Sequence, residues 1–541
     1  MASKDAIAAA SAKFPKPAGR VFQYGTAGFR MKASLLDSVV YRVGLLAALR
    51  SRKLNGQIVG VMITASHNPP DDNGVKLVDP MGEMLESSWE AHATILANAT
   101  SDQALVVAYD KLNEDLKIKP EAPARVIYAR DTRASGPRLV RALVEALKAT
   151  NTEYTDYKIL ATPQLHYLTR CLNTKGTQYE YGEPTEQGYY EKTANAFKAA
   201  MSGRKANGAV TVDCANGVGG PKLRELIKYL PNASEGGVEV KIVNDDVVQP
   251  ERLNHQCGAD FVKTGQRAPP SSQASPLARC ASFDGDADRI VYYFIDSEST
   301  FRLLDGDRIA TLAALFIGDL AKSAGLSEKL KIGVVQTAYA NGASTDYITH
   351  HLKLPVVCTN TGVKHLHHAA TKFDVGVYFE ANGHGTVLFS DTALKRLRKH
   401  EPQSPAQHSA LQILRALVAL INQTVGDAIS DLLLVEVILA HKGWGPKEWD
   451  STYTDLPNRL VRVEVADRNI FRAVDAERKL EAPVGVQAQI DALVGKYKHG
   501  RAFARASGTE DAMRVYAEAA TRGEADDLAG KVAGVVRVVG A

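Results

Sequence analysis

Asp284, Asp286 and Asp288 recur at every second position of "SFDGDADRIVYYFID", and Ser66 ends an apolar run in "MITASHNPP". Together they offer a hard-oxygen cation site and a hydroxyl nucleophile. In an extended strand, alternate aspartates lie roughly 6.6 Å apart, too far to share a small ion, so Gly285 and Ala287 must let the segment curl. Once curled, three carboxylates are the ligands Mg2+ accepts, with positions left for water or a phosphate oxygen. A calcium EF-hand loop also opens with alternating acids, but it needs a later glycine and a bidentate glutamate, and here a strand follows at once. The bland alternative is a solvated acidic hairpin. Against it, three acids crowded beside buried strands repel one another, and a divalent cation relieves that. A serine hydroxyl stays inert until a base or metal activates it. Without such a partner, "TASHNPPDDNGVK" is an ordinary loop closing a strand, its exit restricted by Pro69 and Pro70. His67, adjacent to Ser66, is expected to point away from it and is not read as its base.

Two further loops carry polar chemistry. In "YFEANGHGTV", Glu380, Asn382 and His384 follow an apolar strand, and carboxylate and amide groups hydrogen-bond well to vicinal sugar hydroxyls. In "ARASGTEDAMR", backbone amides near Ser507, Gly508 and Thr509, with Arg505 and Arg514, would make a receptor for a phosphate that is held and not attacked. Alone, a Ser-Gly-Thr triplet is an ordinary turn. "HLHH" is not read as a metal cluster, because only His365 and His368 share a helix face, and His367 does not.

These loops need strands to hold them. Continuous apolar runs at 57–63, 125–129, 208–213 and 331–337 each lead through a short polar turn into an amphipathic helix. That alternation predicts parallel sheets covered on both faces, with ligands at the carboxyl ends of the strands. Beyond about 430 the pattern changes to alternating strands and a terminal helix, a smaller α+β domain. A chain of 541 residues exceeds one hydrophobic core. Its 45% hydrophobic and 23% charged composition is that of folded domains, and a net charge of +4 argues against nucleic-acid binding driven by bulk charge. Five scattered cysteines form no Cys-x-x-Cys pair and fit a reducing compartment. The most apolar stretch, 432–440, contains Glu436 and falls short of the ~20 residues that span a bilayer, so a cytoplasmic protein is expected.

In their order along the chain, "YGTAGFR", "TASHNPP", "DGDADR", "EANGHG" and "RASGTED" resemble the α-D-phosphohexomutase superfamily. "GTAGFR", "TGVKHLHH" and "EANGHG" point within it to the phosphoacetylglucosamine mutase branch. The resemblance implies a multi-domain α/β fold: three mixed or parallel α/β sandwich-like domains and a C-terminal α+β domain around a central cleft. The expected domains are 1–190 with the phosphoserine loop, 191–298 with the metal loop, 299–430 with the sugar loop and 431–541 with the phosphate loop. Ser66 would carry the phosphoryl group, with Arg30, His67, Lys76 and Arg289 in the catalytic set. Asp284, Asp286, Asp288 and the phosphorylated Ser66 would hold one Mg2+. Thr361, Gly362, Lys364, His365, Glu380, Asn382 and His384 would bind the sugar, and Arg505, Ser507, Gly508, Thr509 and Arg514 the distal phosphate. Where the family is expected to have proline, this chain has Ala506, which makes phosphate affinity the property affected.

The implied activity interconverts N-acetylglucosamine 6-phosphate and 1-phosphate through a sugar 1,6-bisphosphate, supplying UDP-N-acetylglucosamine synthesis. A phosphoglucomutase or phosphomannomutase would share every catalytic part. A hydrolase would instead release inorganic phosphate, and a sugar-phosphate sensor would have no use for both a nucleophile and a cation site. Sugar phosphates are the expected partners, with no nucleic acid and no membrane; monomer and dimer are both compatible with the sequence.

Overall fold

The apolar run at 57–63 forms an inner strand of a five-stranded sheet. In chain order its strands are β1 (Phe29–Lys32), β2 (Ile58–Ile63), β3 (Asp72–Val78), β4 (Arg125–Arg130) and β5 (Glu153–Ile159), arranged β1-β3-β2-β4-β5. β2, β4 and β5 run parallel, while β3 returns antiparallel to β2 and β1 antiparallel to β3. The segment Asp72–Val78, expected to be loop, is therefore a strand. Two prolines and a glycine masked it, although Val75 and Leu77 on one face and Val78 on the other are buried. The computed structural model describes residues 4–25, 28–119, 121–507 and 511–541.

A second sheet contains β6 (Ala209–Asp213), β7 (Glu239–Val243), β8 (Arg279–Phe283), β9 (Ile290–Ile295) and β10 (Phe301–Leu304), in the order β10-β9-β8-β6-β7. A third contains β11 (Ile332–Thr337), β12 (Val356–Thr359), β13 (Val375–Phe379) and β14 (Gly385–Phe389), in the order β12-β11-β13-β14. The three sheets repeat one device. β2, β8 and β13 each lie between a parallel neighbour and an antiparallel return strand: β3, β9 and β14 respectively. The turns at these three reversals carry Ser66, Asp284 to Asp288, and Glu380 to His384. The sheets are thus mixed, and the chemistry sits where their direction changes.

The last sheet is antiparallel. After β15 (Asn458–Glu464) comes a small ribbon of β16 (Arg472–Val474) and β17 (Lys479–Ala482). β18 (Arg501–Ala506) and β19 (Ala512–Glu518) then join β15 in the order β15-β19-β18. One face of it is apolar: Val463, Ala502, Ala504, Met513, Val515 and Ala517 pack with Leu528, Val532 and Val536 of the terminal helix Arg522–Val539. The alternate residues of each strand are left to the opposite face.

The chain divides into two compact units, Met1–Leu303 with Ala416–Gly443, and Leu304–Arg415 with Trp444–Ala541. β10 joins the second sheet beyond residue 298, because the polar turn at 297–300 lets the chain fold back onto β9. Helix Ala428–Lys442, placed across the expected boundary at 430, packs within the first unit. Its side chains are buried nearly all round, as in a core helix. Its one buried glutamate, Glu436, accepts from both Nε and Nη2 of Arg279 at 3.2 and 2.9 Å. Among the described residues no helix is long and apolar enough to cross a membrane.

Candidate active site

Ser66 is fully buried and its backbone is left-handed, with φ of 53°. A non-glycine residue holds that conformation only where its surroundings over-determine it. Here they do. Its N–H is given to Thr64 Oγ1 at 3.0 Å, and its carbonyl accepts from Arg133 Nη2 and from Asn254 Nδ2, each at 2.9 Å. Arg133 also donates to the carbonyls of Asn68, Pro69 and Asp72 and, through Nε, to Asp131 Oδ2 at 3.0 Å. Its side chain is wholly buried, so one guanidinium stitches the whole serine turn. Replacing Arg133 by methionine takes the cation from buried Asp131 and one hydrogen bond from each of four carbonyls, of which Ser66 and Asn68 keep Asn254 Nδ2, and is expected to lower unfolding free energy by about 3–5 kcal/mol. A chemical denaturation midpoint left unmoved would refute that.

The aspartate turn faces this serine. The Ser66 hydroxyl donates to Asp284 Oδ2 at 2.5 Å. Asp284, Asp286 and Asp288 are buried, and one carboxylate oxygen of each lies within 4.8 Å of the others. The curl needs a glycine at 285: a Cβ there would come 2.6 Å from the Ser66 carbonyl oxygen. The curl is held by the Asp288 and Arg289 N–H groups, which both donate to Asp284 Oδ1. Thr162, at the start of a helix, gives its hydroxyl to Asp286 Oδ2 at 2.6 Å and its N–H to the Asp286 carbonyl at 3.1 Å.

Cations surround the acids. Lys76 Nζ lies 3.5 Å from Asp286 and 3.3 Å from Asp288, and Arg289 Nε lies 3.7 Å from both Asp284 and Asp288. Burial, and then the charges of Asp288 and Asp286, hold the Asp284 carboxyl well above the usual carboxylate range. The opposite imbalance exists nearby. Burial and then the Arg289 charge lower the Arg30 guanidinium, while Arg289 first, then burial and Arg30, push the His67 imidazole down to about 2. Asp286 Oδ1 and Arg30 Nε are buried polar atoms with no hydrogen-bond partner among the described residues. A divalent cation among the acids and an anion beside Arg30, Arg289 and His67 would relieve both sides. The donor set therefore fits a magnesium next to a phosphoryl group.

In the second unit, the Glu380 turn is closed by hydrogen bonds from the Glu380 N–H to the His384 carbonyl and from the His384 N–H to Asn382 Oδ1. Gly306, opening helix Gly306–Ser323, passes under the turn; a Cβ on it would lie 1.9 Å from the Glu380 carbonyl oxygen. Glu380 Oε1 accepts from the Gly362 N–H at 3.2 Å, which brings the 361–362 segment to the Glu380 turn. Of the expected sugar-binding group, Lys364 is half-buried at the start of helix Val363–Ala370 and His365 is exposed on it; His367 pairs instead with the Tyr378 hydroxyl at 3.0 Å. On the polar face of the last sheet, Arg505, Arg514 and Arg462 stand in register across three strands. Adjacent like charges on one sheet face are unfavourable without an anion. Ser507 is buried and its N–H donates to the Ala512 carbonyl. Gly508 and Thr509 lie outside the described residues.

Sequence reasoning did not single out Arg133, Thr162, Asn254 or Arg462. Arg133 had a signal, since "RDTR" places an acid and an arginine two residues apart at a strand end. Asn254 and Thr162 act across the tertiary structure, and Arg462 becomes notable only once strand register is known.

Family models match in four segments. "Phosphoacetylglucosamine mutase AMG1, domain II" matches residues 182–291 and "domain III" of the same family residues 305–444. "Phosphoglucomutase/phosphomannomutase, alpha/beta/alpha domain I" matches 44–105 and 111–179, and the C-terminal domain of that family 460–535. The chain is 50% identical to the phosphoacetylglucosamine mutase of Candida albicans over 538 residues, 97% of each chain. It is also 50% identical to that of Homo sapiens, over 97% of this chain and 96% of the other. Among solved structures, it is similar to the Aspergillus fumigatus N-acetylphosphoglucosamine mutase complex with GlcNAc-6P and magnesium, at 69% identity and a TM-score of 0.97, covering 100% of both chains. A complex of the Aspergillus protein with glucose 1,6-bisphosphate matches at 69% identity and a TM-score of 0.96, covering 100% of this chain and 99% of the other.

Proposed function

The chain belongs to the phosphoacetylglucosamine mutase family, and on that premise we propose that it interconverts N-acetylglucosamine 6-phosphate and N-acetylglucosamine 1-phosphate through phospho-Ser66 and a sugar 1,6-bisphosphate. The observation that carries this reading is the Ser66 hydroxyl 2.5 Å from the first of three clustered aspartates. The ligands of the Aspergillus relatives, GlcNAc-6P with magnesium and glucose 1,6-bisphosphate, support the same substrate class here.

Asp284, Asp286, Asp288 and an oxygen of phospho-Ser66 would hold Mg2+, which when bound neutralises charge on the transferring phosphoryl group. In the first half-reaction the bond from phosphorus to Ser66 Oγ breaks as one forms to the sugar O1, and the O1 hydroxyl proton is the one that ends on the departing Ser66 Oγ. The second half-reaction returns the phosphoryl group at O6 to Ser66 Oγ. Arg30, Lys76 and Arg289 offset the charge of three carboxylates and a phosphoryl group. His67, held neutral, contributes hydrogen bonding without charge. Glu380 and Asn382 orient the sugar hydroxyls together with the Thr361, Gly362, Lys364 and His365 segment, and His384 positions the substrate or moves a proton. Arg505, Ser507, Gly508, Thr509 and Arg514 hold the phosphate that is not being transferred, whichever end of the sugar carries it.

We divide this work among four domains, as in the sequence reading, with the strand Phe301–Leu304 and the helix Ala428–Lys442 assigned to the second. All five cysteines are free, which supports a reducing, cytoplasmic setting. A coupled assay on the purified chain tests the substrate assignment. The expected kcat/KM for N-acetylglucosamine phosphate exceeds that for glucose or mannose phosphate by about tenfold or more. Equal values would make it a general hexose mutase, and net inorganic phosphate without isomer would make it a hydrolase.

A further inference from the structure

Glu477 belongs to none of the motifs, yet it sits among the proposed ligand-binding groups of the second unit. It lies in the turn of the β16–β17 ribbon, where Asp475, Ala476 and Glu477 are consecutively left-handed, with φ of 53°, 55° and 64°. Its Oε2 accepts from the Thr361 N–H at 3.0 Å and from the Thr361 hydroxyl at 2.5 Å. The same oxygen is 3.6 Å from Nε of Arg505. Both partners of that ion pair are about one-fifth exposed, so the pair lies at a surface that a ligand can reach.

Glu477 accepts hydrogen bonds from a backbone amide and a hydroxyl and forms an ion pair with a guanidinium whose Nε makes no hydrogen bond among the described residues. These three groups are also the donors a phosphate monoester uses. Arg505 has a like charge in register beside it, Arg514, while Arg462 beyond is already paired with Glu464 at 2.7 Å, so an anion beside Arg505 and Arg514 is favoured on electrostatic grounds. We propose that Glu477 is a built-in competitor for this receptor. Its carboxylate holds Arg505 and ties it to the Thr361 segment when no phosphate is bound, and it yields Arg505 when a phosphate arrives. Phosphate affinity is thereby set below what the arginines alone would give. For a site that must accept and release either end of a bisphosphate, moderate affinity is an advantage, since tight holding would slow the exchange of ends.

This inference rests on the reading of Arg505 as a phosphate ligand, and one experiment separates the two. Glu477→Gln is nearly isosteric and keeps an acceptor for Thr361, while removing the charge that faces Arg505. Dissociation constants for N-acetylglucosamine 6-phosphate are measured by calorimetry on the full chain for wild type, Glu477→Gln, Glu477→Ala, Arg505→Ala and the Glu477→Gln/Arg505→Ala double variant, alongside KM and kcat. Loss of a partly exposed ion pair predicts about two- to fivefold tighter binding for both Glu477 variants, with KM falling in parallel. Arg505→Ala should bind more weakly, and adding Glu477→Gln to it should change nothing. Unchanged or weaker binding in Glu477→Gln, with Arg505→Ala still impaired, would make Glu477 a structural bridge and overturn the proposal. Wild-type binding by Arg505→Ala would overturn the phosphate-loop reading itself.

Discussion

Ser66→Ala is expected to lose mutase turnover at saturating substrate by roughly 10^4-fold or more, since the variant lacks the hydroxyl that faces Asp284 and is proposed to carry the phosphoryl group. The variant should still fold. The Thr64, Arg133 and Asn254 hydrogen bonds reach the main chain of residue 66, so they survive removal of the hydroxyl, and only the bond to Asp284 disappears. Sugar-phosphate binding is therefore expected to persist while isomerisation stops. Phosphosite mapping supplies a second readout, because the wild-type chain should carry phosphate at residue 66 and the variant none. Residual turnover near the wild-type rate would remove Ser66 from the mechanism.

Stripping divalent cations is expected to cut turnover by roughly 10^3-fold, with recovery on adding Mg2+. The site is poorly balanced without an ion, because Lys76 and Arg289 approach the acids only at 3.3 to 3.7 Å. Stability gives an independent measure. An ion that binds only the folded chain adds about 2.7 kcal/mol at a hundredfold excess over its dissociation constant, which a thermal scan can detect. The pH dependence has a definite sign. Without the ion, Asp284 binds its proton more tightly in the folded state than in the unfolded chain, so folded-state stability is lost as pH rises past the ordinary carboxylate range. The stabilisation by Mg2+ should accordingly grow as pH rises. A midpoint insensitive to Mg2+ at every pH would argue against a cation at these aspartates.

Much of this site was legible because its residues lie at strand ends and in short runs. Apolar strands at 57–63 and 208–213 and the turn "DGDADR" needed only periodicity and ligand chemistry to be noticed. The antiparallel return of β3 onto β2 was not legible, because prolines and polar residues at 69–73 read as loop. Arg133 looked like one more polar residue in a strand-to-helix turn; its four carbonyl partners come from 66 to 72, and only the fold brings them to it. The register that lines up Arg462, Arg514 and Arg505 is likewise a property of the sheet and not of any window of sequence. Glu436, a charge inside an apolar run, marked that run as too polar to span a bilayer; that a remote arginine neutralises it in a buried helix was not visible in the sequence.

The helix Ala428–Lys442 also bears on how the chain is made. Arg279 and Glu436 are 157 positions apart, and the intervening chain builds part of the second unit before the helix is translated. A nascent chain that has emerged only through Leu303 therefore has the Asn207 and Gly208 carbonyls for the Arg279 guanidinium but not its carboxylate partner. The first unit is therefore not completed when its first segment has been made: its last piece, Ala416–Gly443, is translated only after Leu304–Arg415 of the second unit.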